Sequence, residues 1–380
     1  MSEVDPELTP KRALMVINAL PDVGPVTLRR LLEAFDGDPV RALSASAREL
    51  TQIKGLGETK AEALTKWREH FDWRREETSM AARGIKFVTA GEPGYPPLLK
   101  DIHDPPCGLY SQGEYTGADK AVAIIGSRRS TLYGLGVARR LAGELAQLGI
   151  WVVSGGARGI DAAAHEGALA AGGKTAVVLG NGVDIVYPPE HLELFKKIAK
   201  DGVVLSEFPL GRKANAQTFP MRNRLIAGMC RAVVVVESDV NGGSMITAGQ
   251  AIEQGKDVFA VPGRIDQVSS RGCHKLIRSC EAKLLTGVED ILEEWRQTGQ
   301  LDLKADLPPR AETTVSPEVL AALGEDARRI YELLAGAKAT HPDELAGAAD
   351  LPSARVAGAL LLLELKRLVV KRVDGRFEAR

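Results

Sequence analysis

The residues that point most clearly to chemistry are basic and aromatic side chains in one segment. Between positions 206 and 232 there is one acidic residue, Glu207, and Phe219 lies near the middle. Five basic residues share the segment: Arg212, Lys213, Arg222, Arg224 and Arg231. Arginines bind phosphates and an aromatic ring stacks on an unpaired base, so the composition is typical of a single-stranded nucleic-acid site. The alternative is that Phe219 and Pro220 only pack the loop while the arginines are solvated or ion-paired.

Three glycine-containing loops add hydroxyl and basic groups, and each follows a short apolar run. The loop residues of interest are Ser127, Arg128 and Arg129, then Gly155, Gly156 and Arg158, then Gly242, Gly243 and Ser244. Backbone amides at the start of a helix bind anions. We therefore expect these loops to contact phosphate.

The same loops do not match known cofactor motifs. The string GSRRSTLYG from Gly126 is not G-x-G-x-x-G, which argues against a nicotinamide or flavin cofactor. The string GALAAGGKT (Gly167 to Thr175) resembles a nucleotide P-loop, but a helical stretch precedes it and a strand follows, the reverse of the required order. We predict no cofactor.

Candidate catalytic residues are few. The six histidines lack metal-ligand spacing and no G-x-S-x-G motif occurs. Asp161 and His165 lie four residues apart and suit acid-base work, yet helix capping and packing is the favoured interpretation. Ser154 is expected to be a turn or phosphate-facing hydroxyl. The sequence predicts no catalytic set and no metal site.

The elements that position these loops form an α/β pattern between residues 81 and 298. Six short runs rich in Val and Ile alternate with amphipathic stretches: AVAIIG, IWVVSGG, TAVVLG, VVLSEF, AVVVVES and DVFAVPG. Such runs suit strands buried on both faces of a parallel sheet. We predict an extended Rossmann-like, doubly wound and mostly parallel sheet, with ligands beyond the carboxyl ends of the strands.

Residues 1–80 have helical periodicity and two hairpin signals, at Leu20 to Leu32 and at Ile53 to Leu64. The second resembles a helix-hairpin-helix, so this domain is predicted to be of that type. Four residues of this second hairpin are secondary candidates for DNA binding: Lys54, Gly55, Gly57 and Lys60. An ordinary helical hairpin with a glycine turn is the alternative.

The end of the chain contains a linker and a small module. Residues 299–316 lose periodicity and are predicted to be a linker. Residues 317–380 are predicted to form three helices and a β-hairpin, the order of a winged helix. The presumed second and third helices offer few groups for base edges, so a protein-interaction role is as reasonable as duplex binding.

Bulk composition limits the remaining function classes. The chain has 380 residues, 44% hydrophobic and 26% charged, with a net charge of −1. No global basic field exists, so any nucleic acid must bind a local patch. Apolar runs are too short to span a membrane, no secretory signal is visible, and four scattered cysteines suit a reducing compartment. We expect a cytoplasmic protein with no membrane partner.

Several strings, taken together, resemble the DNA-processing protein A family, also called Smf. They are GSR at Gly126, VVSGGARGIDAAAHEGAL at Val152, TAVVLGNGVDIVYP at Thr175, LSEFPLG at Leu205, FPMRNRLIAGMC at Phe219, VVVVES with GGSMITAGQAIEQGKDVFAVPG from Val233, and LIRSCEAKLL at Leu276. They occur in order along the α/β segment. The flanking segments also fit the family, since its members often carry an N-terminal helical domain of SAM or helix-hairpin-helix type and a C-terminal winged helix. The resemblance therefore implies that residues 1–80 are SAM-like or helix-hairpin-helix-like.

The resemblance implies a non-enzymatic, homodimeric protein that binds single-stranded DNA and loads the RecA recombinase during natural transformation. Arg128 would be the basic residue of the DNA pocket, with Phe219 and Arg222 to Arg224, including Asn223, on the same face. Ser127 and the amides of Gly155 to Gly159 would bind a phosphate beside it. Duplex DNA is a further candidate partner for the flanking domains.

Two departures from the family pattern and one alternative function remain open. Pro189 and Ala216 lie where family members often have basic residues, so two phosphate contacts are in question. Arg212, Lys213 or the N-terminal hairpin are candidates to replace them. The alternative function is a nucleotide or nucleotide-sugar hydrolase that uses a carboxylate such as Glu207 or Glu237.

Overall fold

A computed structural model of the protein describes residues 5–117, 119–298, 323–335, 340–366, 368–371 and 375–379. The chain forms two compact units, Met1–Pro308 and Pro309–Arg380. The first unit thus contains both the helical segment and the α/β segment of the sequence. The linker predicted at 299–316 lies outside the described residues.

The first unit begins with a group of short helices. They are α1 (Pro10–Ala19), α2 (Pro25–Ala34), α3 (Pro39–Ser44), α4 (Ala47–Thr51), α5 (Glu58–Thr65), α6 (Trp67–His70) and α7 (Trp73–Ala81). Both predicted hairpins are present, between α1 and α2 and between α4 and α5. Asp22 and Gly55 take left-handed backbone angles, with φ of 58° and 85°, which reverse the chain in the two turns.

A single large sheet follows. Its strands are β1 (Ile85–Thr89), β2 (Gly108–Gly113), β3 (Ala121–Ile125), β4 (Trp151–Ser154), β5 (Thr175–Leu179), β6 (Val203–Ser206), β7 (Ala232–Val235), β8 (Asp257–Ala260) and β9 (Lys283–Leu284). The nine strands lie in the order β1-β2-β6-β5-β4-β3-β7-β8-β9. The pairs β1–β2 and β2–β6 are antiparallel and the other pairs are parallel.

The predicted sheet is confirmed, since the six apolar runs form β3 to β8. All five residues of β3 are buried because helices cover both faces. The helices after β3 are α8 (Leu132–Gln147), α9 (Ile160–Ala170), α10 (Leu192–Asp201), α11 (Thr218–Gly228), α12 (Gly243–Glu253), α13 (Arg271–Arg278) and α14 (Val288–Gln297). Residues of α8, α9 and α14 pack with Val122 and Ile124, while residues of α11, α12 and α13 pack with Ala123 and Ile125.

The N-terminal helices pack against the sheet through a common hydrophobic cluster. Leu31, Leu50 and Leu64 belong to the same buried cluster as Phe87 and Tyr110 of the sheet. The helices and the sheet are therefore parts of one packed unit.

The second unit has the element order predicted for a winged helix. Its elements are α15 (Glu325–Ala335), α16 (Pro342–Ala349), α17 (Ser353–Leu365), β10 (Val369–Lys371) and β11 (Phe377–Ala379). The two strands are antiparallel, and Ile330, Leu345, Leu360 and Phe377 form its core. No single helix of the described residues is long and apolar enough to cross a membrane; α16 and α17 meet that criterion only as a pair, with a 111° bend between them.

Candidate nucleic-acid interface

A pocket opens at the carboxyl edge of the sheet between β3 and β7. The strand order reverses there, because β4 to β6 lie on one side of β3 and β7 to β9 on the other. Doubly wound sheets bind ligands at such a point. The pocket has a volume of about 460 Å³. Nine predicted site residues line it: Ser127, Arg128, Arg129, Phe219, Arg222, Asn223, Gly242, Gly243 and Ser244.

The loop after β3 is held in place by Glu237, which follows β7. The Glu237 backbone oxygen accepts from Ser127 N at 2.7 Å. One Glu237 carboxylate oxygen accepts from Thr131 N at 2.9 Å, and the other accepts from the Thr131 hydroxyl. Gly159 lies against the loop, and a Cβ there would be 2.3 Å from the Ser127 oxygen. The loop backbone is therefore fixed while the Arg128 side chain extends into solvent.

Phe219 lies in the first turn of α11, at the wall of the pocket. The Arg128 guanidinium lies over its ring, with 5.0 Å from Cζ to the ring centroid, and Arg222 is 5.9 Å from the same centroid. Phe219 is only partly buried. The ring and the exposed guanidinium together offer a flat apolar surface beside a positive charge, which are the two groups that a nucleotide requires.

Arg222 has a different environment from Arg128, since its side chain is 4% exposed. Its guanidinium donates to the Gly155 oxygen at 2.8 Å and to the Val178 oxygen. Burial lowers the pKa of Arg222 to about 10, which leaves it charged at neutral pH. Arg222 therefore supplies a fixed positive charge at the base of the pocket rather than a mobile contact.

Asp161 brings a carboxylate into this positive pocket. It accepts from Ala157 N at 3.2 Å, and burial raises its pKa although the Arg222 charge opposes the shift. His165, one turn further along α9, is fully buried and its Nδ1 lies 2.7 Å from the Thr175 hydroxyl. Its imidazole bonds to the sheet and is absent from the pocket lining, which supports the packing interpretation for His165.

The third predicted loop forms the opposite wall of the pocket. Gly242 caps α12, so the first-turn amides of this helix face the pocket beside Gly243 and Ser244. The Ser244 hydroxyl donates to the Ser238 hydroxyl at 2.8 Å. These amides and hydroxyls are the anion-binding groups expected at this loop.

Arg224 was predicted in the binding face, and the structure contradicts that position. Its side chain is 5% exposed, and its Nη2 lies 2.5 Å from both Glu207 carboxylate oxygens. The same guanidinium lies 3.2 Å from the Asp104 carboxylate. Helical periodicity explains the error, because Arg222 and Arg224 are two residues apart and project from different faces of α11.

Three further predicted residues lie outside the pocket lining. Gly156 has a φ of 68° and packs against Val177 and Phe195, so it shapes the turn after β4. Ser154 is fully buried and donates to the Ile124 oxygen at 2.6 Å, which excludes a phosphate-facing hydroxyl. Lys213 is exposed on the loop before α11 and is not among the lining residues.

Gly155 and Arg158 lie in a shallow cleft next to the pocket. The cleft is lined by Arg128, Gly155, Ala157, Arg158, Tyr187, Pro188, Phe219 and Arg222. Four of these residues also line the pocket, so the pocket and the cleft share a wall. The predicted site is thus divided between two adjoining concave surfaces.

The carboxylates named for the hydrolase alternative are both engaged elsewhere. Glu207 binds Arg224 through both oxygens, and Glu237 binds Thr131. Neither residue is among those that line the pocket. Asp161 and Asp239 are the acidic residues of that lining.

The secondary candidates lie in the second N-terminal hairpin. Gly57 caps α5 without a side-chain bond, and Lys54 is exposed. The Lys60 ammonium donates to the Thr27 hydroxyl at 3.1 Å and to the Gly55 oxygen at 3.3 Å. Lys60 thus ties the hairpin to the neighbouring helix α2.

Sequence reasoning gave no role to Tyr187, although the structure places it beside the site. The Tyr187 and Phe219 ring centroids are 6.0 Å apart with 43° between the ring planes. Thirty-two residues separate the two rings along the chain, so no local pattern joins them. The available signal was an aromatic residue immediately before Pro188, in the segment that follows the apolar run TAVVLG.

The family model for DNA recombination-mediator protein A matches residues 86–296, and a DprA winged helix domain model matches residues 304–375. The chain belongs to the DNA-processing protein A family. The Smf protein of Synechocystis is 33% identical over 94% of this chain and 96% of its own length.

Two solved structures of the DNA-processing protein A family share the fold. That of Streptococcus pneumoniae is 31% identical with a TM-score of 0.63, covering 75% of this chain and 97% of that protein. A Helicobacter pylori structure, described for its single-stranded DNA binding mode, is 29% identical with a TM-score of 0.51 and covers 56% of this chain and 97% of that protein. Each of these two proteins is matched over nearly its whole length, but this chain is matched over a smaller part of its length.

Proposed function

We propose that this protein binds single-stranded DNA in the pocket at the switch point and acts as a recombination mediator. The observation that carries the proposal is the exposed Arg128 guanidinium, 5.0 Å from the Phe219 ring centroid at the wall of a pocket of about 460 Å³. A duplex hides its base faces, whereas a single strand offers them for stacking. The description of the Helicobacter pylori relative supports the same ligand.

The finer parts of the proposal come from the family. We propose that the protein is a homodimer in the cytoplasm, protects incoming DNA during natural transformation and loads RecA onto it. The family model is itself described as a recombination mediator, and the match covers residues 86–296, nearly all of the α/β segment. Strand exchange by RecA on strands coated with single-strand binding protein tests the mediator role, since the protein should shorten the lag. Light scattering should give twice the mass of the chain.

We also propose that the protein is not an enzyme. The two carboxylates considered for a nucleotide hydrolase bind Arg224 and Thr131 instead of lining the pocket. Asp161 and Asp239 are the pocket acids that would have to replace them. Asp161 accepts from the Ala157 amide, and Asp239 accepts from the Val240 amide. Release of a free base from nucleoside monophosphates would overturn this part of the proposal.

The binding site is tested by equilibrium titration of a fluorescent oligothymidine across a salt series. Arg128→Ala should weaken binding and reduce the slope of log K against log salt by about 0.7, the value for one phosphate contact on a single strand. Arg140→Ala is the matched control, because Arg140 is exposed on α8 and pairs with Glu144. Equal affinity of wild type and Arg128→Ala would reject the pocket assignment.

A further inference from the structure

The cleft beside the pocket contains a second aromatic ring and a second arginine. Tyr187 is 43% exposed, and its ring centroid is 6.0 Å from that of Phe219. Arg158 lies in the same cleft and its side chain is 55% exposed. An exposed ring next to an exposed guanidinium repeats the combination of Phe219 and Arg128.

The shared wall makes the cleft a continuation of the pocket. Arg128, Ala157, Phe219 and Arg222 line both surfaces. A strand that leaves the pocket across Phe219 therefore meets Tyr187 next. The 6.0 Å between the rings exceeds the roughly 3.4 Å rise between stacked bases, so neighbouring bases must unstack from each other to reach both rings.

Arg158 is occupied in the free protein. Its guanidinium forms a close ion pair with the Glu190 carboxylate, which is 49% exposed. The hydrogen bond from Arg158 holds the pKa of Glu190 below its usual range, so Glu190 is negative at neutral pH. A phosphate that approaches Arg158 must displace this carboxylate.

The segment that carries Tyr187 and Glu190 is anchored to the loop after β4. His191 Nδ1 lies 3.0 Å from the Gly156 oxygen, and the His191 and Phe195 rings make an edge contact at 6.1 Å. These contacts fix the position of Glu190 next to Arg158. The carboxylate that pairs with Arg158 is thus held in position by the packing of the cleft.

We propose that Tyr187 and Arg158 form a second nucleotide subsite for the same single strand, and that Glu190 competes with its phosphate for Arg158. This inference rests on the proposed DNA binding in the pocket. It predicts a gain of affinity from removal of one acidic group, an effect that structural damage does not produce.

The decisive variant is Glu190→Gln, titrated with oligothymidine across a salt series. Binding should become about two- to tenfold tighter at low salt, with a slope steeper by about 0.7 as Arg158 gains a phosphate. Glu193→Gln is the matched control, because Glu193 is an exposed acid three residues away that pairs with Lys196. An equal gain in both variants would mean general electrostatics, and no gain in Glu190→Gln would overturn the competition.

The pairing is tested further in the double variant Arg158→Ala/Glu190→Gln. Without Arg158, the removal of Glu190 has no guanidinium to release, so the gain should disappear. A gain that persists in the double variant would contradict the role of Arg158. Failure of the wild-type protein itself to bind the strand would reject the proposed function instead, so the two failures are distinguishable.

The role of Tyr187 is tested in two backgrounds. Tyr187→Ala should weaken binding about three- to tenfold and Tyr187→Phe should leave it unchanged, because stacking uses the ring and not the hydroxyl. In a Phe219→Ala background Tyr187→Ala should still weaken binding. If it adds nothing there, Tyr187 only supports Phe219 and the second subsite is wrong.

Discussion

Arg128 at the pocket and two arginines of the winged-helix unit have opposite environments. At the pocket, Arg128 is exposed over an aromatic ring and no ion pair to it is found among the described residues. In the second unit, Arg355 of α17 binds both oxygens of Asp326, and Arg328 pairs with Glu332. The pocket therefore leaves a cation available beside an aromatic ring, whereas these two arginines of the second unit already have carboxylate partners.

Apolar exposure differs between the two regions as well. On α17, Leu361 and Leu365 are 58% and 74% exposed, where a helix that reads a duplex would carry polar side chains. At the pocket the Phe219 ring is half-buried and lies under a guanidinium, although the exposed Ile246 lines the same pocket. The comparison supports the proposal that a single strand binds at the pocket and that α17 makes other contacts.

The largest expected effect is from Phe219→Ala. Loss of base stacking costs roughly 1–3 kcal/mol, about a 5- to 150-fold weaker affinity for oligothymidine. Phe219 is partly exposed, so the fold should survive, which circular dichroism and thermal unfolding can check. Leu361→Ala on α17 is the matched apolar truncation, and an equal loss in that variant would break the comparison.

The next largest effect is a loss of stability of the first unit at acidic pH, which the second unit should not share. Burial lowers the pKa of His165 to about 3, while the unfolded chain binds its proton near pH 6.5. Stability from the neutral imidazole is present above pH 6.5 and is lost as the pH falls toward 3, by at most about 1.4 kcal/mol between pH 6.5 and 5.5. The second unit has one histidine, His341, on its surface.

Tryptophan fluorescence can measure this effect, because all four tryptophans lie in the first unit. In urea unfolding at pH 7.0 and 5.5, the first unit should lose stability, and His165→Asn should lose less over the same interval. A pH dependence that is identical in wild type and variant would show that His165 is not the group responsible.

A smaller effect is expected from Arg128→Lys. The charge remains, so the salt slope should stay the same, but a lysine lacks the flat guanidinium that lies over Phe219. Affinity should fall about two- to tenfold, in line with the energy of a cation–π contact. A changed salt slope in this variant would mean that the phosphate contact itself had moved.

The smallest effect is expected from Arg355→Ala in the second unit. Because Asp326 already holds its guanidinium, affinity for a single strand and for a duplex of equal length should stay within about twofold of wild type. Glu332→Ala is the control, because it removes the ion-pair partner of Arg328 and leaves the pair of Arg355 with Asp326 intact. A tenfold loss from Arg355→Ala would contradict the assignment of DNA to the pocket.

The parallel core could be predicted from the sequence because strands buried on both faces need continuous Val and Ile runs. All five residues of the run AVAII lie in β3 and all five are buried. The antiparallel strands β1 and β2 were missed, since the string GLYSQG has glycine at both ends and polar residues within it. Its Tyr110 and Ser111 are buried by contacts with distant segments that no local pattern encodes.

The candidate site could be predicted in part for a similar reason. Ser127, Arg128 and the start of α12 could be predicted because they follow apolar runs. The direction of each parallel strand fixes the edge of the sheet at which the following loop lies. Arg224 was placed wrongly because composition does not show which face of a helix a side chain takes. Glu237 was considered only as a catalyst, and its bonds to Thr131 depend on β3 and β7 being neighbours.

Photo-crosslinking with 5-iodouracil in a single strand tests the central claim most directly, because the probe reacts with nearby aromatic side chains and mass spectrometry identifies them. The pocket assignment predicts crosslinks at Phe219, and at Tyr187 if the strand continues into the cleft. Crosslinks confined to residues 323–379, with none at Phe219, would contradict it.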